Sequence, residues 1–337
     1  MSINEIKNLT NYQIFLKDTP LNKLKKNHFT IKKSNILEIK DSEVLVETHY
    51  ISIDAANRAW LQSKTYREQI LPGELMGGYG IGRVILSKNK NLNIGDYVEG
   101  DLGWQSYSIQ KPSQLIKAKI IISETHNLSI LGISGRTAFF GIELANLKKG
   151  ETVLISAAAG AVGSIAGQIA KIKGCKVVGV CGSDEKCKRL TDDLGFDAAV
   201  NYKDANFRQN LKEATPDGVD VYFDNTGGMI LGSALFRLNS GGRIACCGVV
   251  SQYDTSTPEP GPKGIPGLLV NKSIRMQGFL VFDFANRYEE ATDDLIEWIN
   301  AGQLKVLTDE LQGLENAPHG FVDLLAGGNI GTRIVNI

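Results

Sequence analysis

Apolar and polar positions follow two different rhythms along the chain. From about Leu37 to Ile109, short β-rich runs alternate with Gly, Pro and Asp turns, as in "GYGIGRVILSK" and "NIGDYVEGDLGWQSYSI". Such runs, punctuated by turn residues, predict an all-β unit. From about Gly132 to Gly278 the strand-like segments "ETVLIS", "KVVGVCG", "AAVNY", "VDVYFDN" and "GRIACCG" are separated by helical stretches. That alternation predicts an α/β unit with a parallel sheet wound on both faces. Beyond Arg287, "EEATDDLIEWINAG" is helical and "GTRIVNI" returns to strand. Ser123–Leu128 and Phe284–Arg287 are the weak linker candidates, and no repeat of 20–50 residues is present.

One segment needs separate treatment. The uncharged run from Val153 to Ala170 approaches the length of a bilayer span, which takes about 20 mostly apolar residues. It is built from Ala, Gly and Ser, with Gln168 inside, and it is internally punctuated. A β-branched strand (Glu151–Ser156) is followed by a small-residue turn (Ala157–Gly163). A stretch with Ile165, Ile169 and Ile172 at helical spacing comes next. Strand, tight turn and helix in this order are the dinucleotide-binding arrangement, in which small residues let the backbone approach a pyrophosphate at the helix N-terminus. The turn is an A-x-x-G-x-x-G variant on Ala157, Gly160 and Gly163. A glycine pattern alone also suits any tight strand–helix corner, and the flanking elements are what favour the cofactor.

The next strand, Lys176–Cys181, ends where an NAD enzyme normally places an acid against the ribose 2′-hydroxyl. Gly182 and Ser183 stand there instead, followed by Asp184, Glu185 and Lys186. Without that carboxylate nothing repels a 2′-phosphate, and Lys186 offers a cation, so the expected cofactor is NADP. Ser183 also suits a helix N-cap, and the two roles are compatible.

Composition adds mostly exclusions. The chain has 337 residues, 42% apolar and 22% charged, with formal net charge zero. Two domains are expected at this length, and neither nucleic acid nor an anionic membrane is favoured as a partner. The basic stretch Lys23–Lys33 reads as a solvated face. The N-terminal "MSINEIKNLTNY" lacks a cationic start with an apolar core, so no signal peptide is expected. The five cysteines (Cys175, Cys181, Cys187, Cys246 and Cys247) point to a reducing cytoplasm.

The stretches "AAAGAVGSIAGQIAKIKGCKVVGVCGSDEK", "LGFDAAVNYK", "PDGVDVYFDNTGG", "GRIACCGVVSQY" and "GGNIGTRIV", with "ISIDAANRAW" and "GDYV" earlier, resemble the medium-chain dehydrogenase/reductase superfamily. More narrowly, they are similar to its NADP-dependent alkenal/one reductases. The resemblance is strongest from Leu131 to Tyr253 and weakens over the first 45 residues. It implies an α/β fold with a Rossmann doubly wound sheet plus a mostly β, GroES-like catalytic domain. The expected division is a catalytic domain over 1–126, an NADP-binding domain over 127–286, and a C-terminal segment over 287–337 returning to the catalytic domain. A homodimer is also expected, consistent with an apolar edge strand over Ser273–Val281.

The resemblance further implies cofactor contacts. Gly160, Ala161, Val162 and Gly163 would lie along the pyrophosphate, and Lys186 and Tyr202 near the 2′-phosphate and adenosine. Asn225 follows the fourth core strand. Cys247, Gly248 and the segment through Ser251 to Tyr253 would pass the nicotinamide ribose. Phe279, Leu280 and Val281 follow the next strand, and Asn329 would reach the cofactor from the C-terminal segment. For Val162, Cys247, Leu280 and Val281 a place in the sheet core is the plainer reading. Asp54 is followed by Ala55, Ala56, Asn57 and Arg58 where relatives carry D-P-Y-M-R, so a tyrosine of their substrate pocket is missing.

Zinc alcohol dehydrogenases share this architecture, and a catalytic zinc needs three protein ligands. No cysteine precedes Cys175, Gly77, Gly78 and Tyr79 stand where that family carries a Gly-His-Glu stretch, and His28, His49, His126 and His319 are scattered. Zinc is therefore not expected, and Cys246 and Cys247 read as packing. What remains is hydride donation from NADPH to an electrophile that delocalises charge, such as an α,β-unsaturated ketone or aldehyde. The resemblance places Tyr253 by the nicotinamide ribose, as oxyanion donor or as a packing residue. Tyr50, Tyr66 and Tyr79 are weaker pocket candidates. A quinone reductase of the same superfamily, or an NADPH-binding protein without turnover, are the competing readings.

Overall fold

The structure, a computed structural model, describes residue 6, residues 8–258 and residues 260–337. Residues 1–5 and 7, part of the stretch read above for a leader, lie outside the described residues, as does residue 259.

The N-terminal half is β-rich. β1 (Thr10–Leu16) and β2 (Phe29–Asn35) form an antiparallel pair. β3 (Val44–Ile53), β4 (Tyr79–Ser87), β5 (Tyr97–Asp101), β6 (Tyr107–Gln110) and β7 (Leu115–Lys117) pair antiparallel in a second sheet. A short helix, α1 (Ala56–Trp60), leaves the end of β3. α2 (Glu124–Leu128) and α3 (Ile133–Ala145) lead into the other half.

There β8 (Thr152–Ser156), β9 (Lys176–Cys181), β10 (Ala198–Asn201), β11 (Val219–Asp224), β12 (Leu238–Cys246) and β13 (Arg275–Gly278) form one parallel sheet in the order β10-β9-β8-β11-β12-β13. Helices α4 (Ala161–Ile172), α5 (Asp184–Leu194), α6 (Phe207–Ala214), α7 (Gly228–Arg237), α8 (Ile265–Lys272) and α9 (Tyr288–Asn300) cover it. Alternate residues serve opposite cores: Val153 and Ile155 join Phe140 and Ala166 on one face, while Leu154 and Val178 join Leu211 and Leu235 on the other. Strand side chains alternate, so a sheet buried on both faces must be apolar throughout. After α10 (Ala317–Leu325), β15 (Thr332–Asn336) pairs antiparallel with β3 and parallel with β14 (Thr308–Gln312), so the chain's end completes the first sheet.

Local chemistry shifts three boundaries. The edge strand expected over Ser273–Val281 is only Arg275–Gly278. Asp283 ends it by accepting the Leu280 N–H at 3.2 Å while its own N–H bonds the Leu280 carbonyl at 3.0 Å. That turn starts a 3-10 helix over Val281–Arg287, so the exit linker candidate is ordered structure. The entry candidate is helical too: Ser123 caps α2, its Oγ accepting the His126 N–H at 3.2 Å.

Candidate active site and cofactor cleft

All six strands of the parallel sheet point the same way, so their C-terminal ends share one edge, and the strand order reverses there between β8 and β11. Such a reversal opens a crevice. The glycine turn sits in it. Ala157 takes a left-handed backbone (φ 47°), and Gly160 is the N-cap of α4 without a side-chain cap. No acidic residue occupies the first turn of α4, which leaves its N–H groups and positive end to an anion. A Cβ on Gly163 would lie 2.4 Å from the Ala157 carbonyl, so only glycine allows this corner. A Cβ on Gly160 would meet only that same carbonyl, at 3.2 Å, which leaves its outer side open. The cradle thus fits a pyrophosphate.

Beside it, Ser183 caps α5 by accepting the Lys186 N–H at 3.3 Å, so "SDEK" is an N-cap as well as a source of charge. The Lys186 ammonium donates to the carbonyls of Gly327 (2.7 Å) and Asn329 (2.6 Å), and burial lowers its pKa. Gly331 N–H reaches the Ala159 carbonyl at 2.8 Å, and Asn329 Nδ2 donates to Gly331 O. The C-terminal segment therefore rests on the glycine turn and on Lys186 together. The Tyr202 ring flanks Gly182, where a Cβ would lie 3.2 Å from it. Lys203, a cation overlooked in the sequence, lies with its ammonium 5.9 Å from that ring.

The remaining strand-end residues divide. Asn225 is committed to the fold: its N–H bonds Ser156 Oγ (2.9 Å) and its amide donates to Ser156 O (2.7 Å), joining β8 to β11. The buried Asp224, also overlooked, accepts from Tyr222 OH and from the N–H groups of Thr226 and Gly227, while its carbonyl accepts from Cys247 and Gly248. It fixes both strand ends at once. Ser251 Oγ donates to Thr226 O at 2.6 Å. Burial pushes the Cys246 thiol up to about 11 and the Cys247 thiol up to about 12, as packing thiols require. Phe279 packs on Phe223 and Phe284, and Val281 is buried, whereas Leu280 is exposed.

Tyr253 follows a 3-10 turn (Val250–Gln252) and is half-buried, with its phenol pKa raised by burial. Its neighbour Asp254 ties this loop to the first half. One Asp254 carboxylate oxygen accepts from Leu24 N–H (2.6 Å) and from Arg58 Nε (2.9 Å). Arg58, fully buried on α1, also donates to the carbonyls of Pro20 (3.0 Å) and Asn22 (2.7 Å). Close by, Trp60 Nε1 donates to Tyr66 OH at 3.1 Å, and the Tyr66 ring lies 5.6 Å from Phe282, beyond β13. Tyr66 thus stands where the two halves meet, whereas Tyr50 and Tyr79 pack in a first-half cluster with Ile81 and Leu128. In the sequence, the "AANR" departure and Tyr66 as a weaker pocket candidate are the signals for this region. Among the described residues, no three His, Cys, Asp or Glu side chains gather as a metal site would require.

Residues 161–298 match the family model described as zinc-binding dehydrogenase, and residues 12–118 match the N-terminal domain of oxidoreductase. Bovine prostaglandin reductase 1 is 41% identical, the alignment covering 91% of this chain and 93% of the relative. The chain belongs to the medium-chain dehydrogenase/reductase superfamily. Tobacco NADP-dependent 2-alkenal reductase is 39% identical over 98% of each chain. The crystal structure of CurA from Vibrio vulnificus in complex with NADPH superposes with a TM-score of 0.92 at 34% identity, covering 96% of this chain and 98% of that one. This member of the superfamily therefore combines the parallel sheet with a β-rich half that is tied to it through Asp254, Arg58 and Leu24.

Proposed function

We propose that this protein is an NADPH-dependent reductase that adds hydride to the activated carbon–carbon double bond of α,β-unsaturated ketones or aldehydes, without zinc. One arrangement carries the reading: the uncapped glycine turn shares an edge of the parallel sheet with the other strand ends, and the loop after β12 that bears Tyr253 is tied to the first half through Asp254 and Arg58. The identity to 2-alkenal reductase and prostaglandin reductase 1 supports it. NADPH, when bound, supplies the hydride. The backbone from Gly160 through Ala161 and Val162 to Gly163 holds the pyrophosphate. Lys186, Tyr202 and Lys203 take the adenosine 2′-phosphate, and Asn329 closes on that end. Asn225 sets the floor of the cleft. The backbone of Cys247, Gly248 and Ser251, with Phe279, Leu280 and Val281 opposite, lines the nicotinamide end.

Tyr253 donates its hydroxyl proton in a hydrogen bond to the substrate oxygen as negative charge gathers there. A phenol is neutral at pH 7, as a donor must be, and burial raises the Tyr253 pKa further. The bound cofactor's hydride would go to the β-carbon, and the enolate held by Tyr253 would take its α-proton from solvent water. Nothing in this sequence of events calls for a Lewis acid, and the first half contains no cysteine to ligate one.

The working division is a catalytic domain over 1–126, a cofactor domain over 127–286 and a returning segment over 287–337, in a cytoplasmic enzyme. The exposed edge β13, with Val270, Leu280 and Phe282 exposed nearby, supports a homodimer; light scattering at micromolar concentration that returns a monomer mass would exclude it. A screen of NADPH oxidation across enones, enals and quinones tests the activity. Turnover with enones and enals is expected. Turnover confined to quinones, or cofactor binding with no turnover on the whole panel, would replace this reading.

A further inference from the structure

We infer that Cys181 and Cys187 form a reversible disulfide that weakens binding at the 2′-phosphate end of the cleft. The consequence for the cofactor rests on the proposed function; the disulfide itself does not. Cys181 ends β9 and Cys187 lies in the first turns of α5, and their sulfurs are 3.2 Å apart. A disulfide needs about 2.05 Å, so the sulfurs must close by roughly 1.2 Å. All five cysteines are free thiols, and the other three stand differently. Cys175 donates to the Lys148 carbonyl at 3.4 Å, and Cys246 and Cys247 are held as thiols by burial.

The pair divides the labour of oxidation. Cys187 is partly accessible, and its pKa is lowered chiefly because the Cys181 S–H donates to it. The positive end of α5 favours a thiolate at the same place. Cys181 is buried, and its proton is held by Cys187. With hydrogen peroxide as oxidant, the Cys187 thiolate attacks one peroxide oxygen, the O–O bond breaks, and the leaving hydroxide takes a proton to become water. The sulfenic acid left on Cys187 is then attacked by Cys181 sulfur. The S–S bond forms, the S–O bond breaks, and the second hydroxide leaves as water with the Cys181 proton. Two thiols thus give up two electrons to one peroxide.

The bond would act on the cofactor end through its neighbours. Lys186 directly precedes Cys187 and holds Gly327 and Asn329, and the Cys181 sulfur lies 3.6 Å from Ser183 O. Oxidation replaces the hydrogen bond between the two sulfurs with a covalent bond and draws the capped first turn of α5 toward β9. Lys186 leaves its place against the C-terminal segment.

The test treats the purified protein with hydrogen peroxide, alkylates remaining thiols, and maps a non-reducing digest by mass spectrometry. NADPH affinity is read in parallel by cofactor fluorescence. The expected result is a Cys181–Cys187 cross-linked peptide pair, an NADPH affinity at least 10-fold weaker, and recovery of both with dithiothreitol. Cys187→Ser should keep its affinity through the same treatment. Full alkylation of both cysteines after peroxide, or oxidation of Cys187 only to the sulfinic acid, would overturn the disulfide. A cross-link that leaves NADPH affinity unchanged would overturn its coupling to the cleft. Absence of NADPH binding before oxidation would count against the proposed function, while the digest still decides the disulfide.

Discussion

Asp254→Ala should separate the stability of the cleft from its chemistry. The Arg58 side chain has no exposure and that of Asp254 is 22% exposed, so removing the carboxylate leaves a buried guanidinium without its counter-charge. Stranding a buried charge costs about 3–5 kcal/mol. The carbonyls of Pro20 and Asn22 still accept from Arg58, and Asp254 is partly wet, so the low end, about 3 kcal/mol, applies. With an unfolding entropy of about 2.1 cal/mol/K per residue, this chain has about 0.7 kcal/mol/K, and the thermal midpoint should fall by about 4 °C. The Leu24 N–H also loses its acceptor, so the Tyr253 loop loses both Asp254 contacts to the first half while Ser256 still bonds Asn22. A misplacement of about 1 Å can cost up to about 100-fold in rate. Single-turnover hydride transfer at saturating NADPH should therefore slow by about 10- to 100-fold, with NADPH affinity within about threefold of wild type on the same reasoning. Tyr253→Phe is the comparison: about 10²–10³-fold slower hydride transfer with little change in melting. A wild-type hydride rate in Asp254→Ala would refute the positioning role of this contact. An unchanged midpoint would refute its contribution to stability.

Two further outcomes follow from the same structure. Lys186→Ala should weaken NADPH binding by about 10- to 150-fold, the range of a charge-assisted hydrogen bond of about 1.5–3 kcal/mol, and leave NADH kinetics nearly unchanged; equal losses with both cofactors would mean that Lys186 serves only the contacts to Gly327 and Asn329. His49 bonds Glu124 at 2.6 Å, and that hydrogen bond raises its pKa. A raised histidine pKa stabilises the fold fully below the unfolded value of about 6.5 and loses that contribution as pH rises through the folded value. The midpoint difference between wild type and Glu124→Gln, in differential scanning fluorimetry, should thus be largest near pH 5.5 and shrink toward pH 8.5; a constant difference would refute the linkage.

The cofactor end was legible in the sequence because its determinants are local. A strand, a small-residue turn and a helix lie within about twenty consecutive positions, and parallel pairing then brings every other strand end to the same edge without further information. The missing acid after β9 could be read for the same reason. The contacts that seat Tyr253 could not. Arg58 and Asp254 are 196 residues apart, and each reads as an ordinary surface charge until the two halves meet. Tyr66 is only a weaker pocket candidate in the sequence, because an aromatic residue in a loop carries no periodic signal, although Trp60 and Phe282 hold it where the halves meet. Lys186 reads as a cation in the sequence, but its carbonyl partners lie 141 and 143 residues away. The expected edge strand runs past Gly278 because Phe279–Val281 has strand-forming side chains, whereas the Asp283 turn that stops it depends on a polar residue beyond them.

The direction of the chemistry can be read from a single labelled turnover. NADPH deuterated at the nicotinamide C4 position that transfers, incubated with the enzyme and a simple enone, should give the saturated ketone with one deuterium on the β-carbon. NMR of the product locates the label. Deuterium on the carbonyl carbon of an allylic alcohol, or no transfer of label to the enone, would contradict double-bond reduction as the reaction of this cleft.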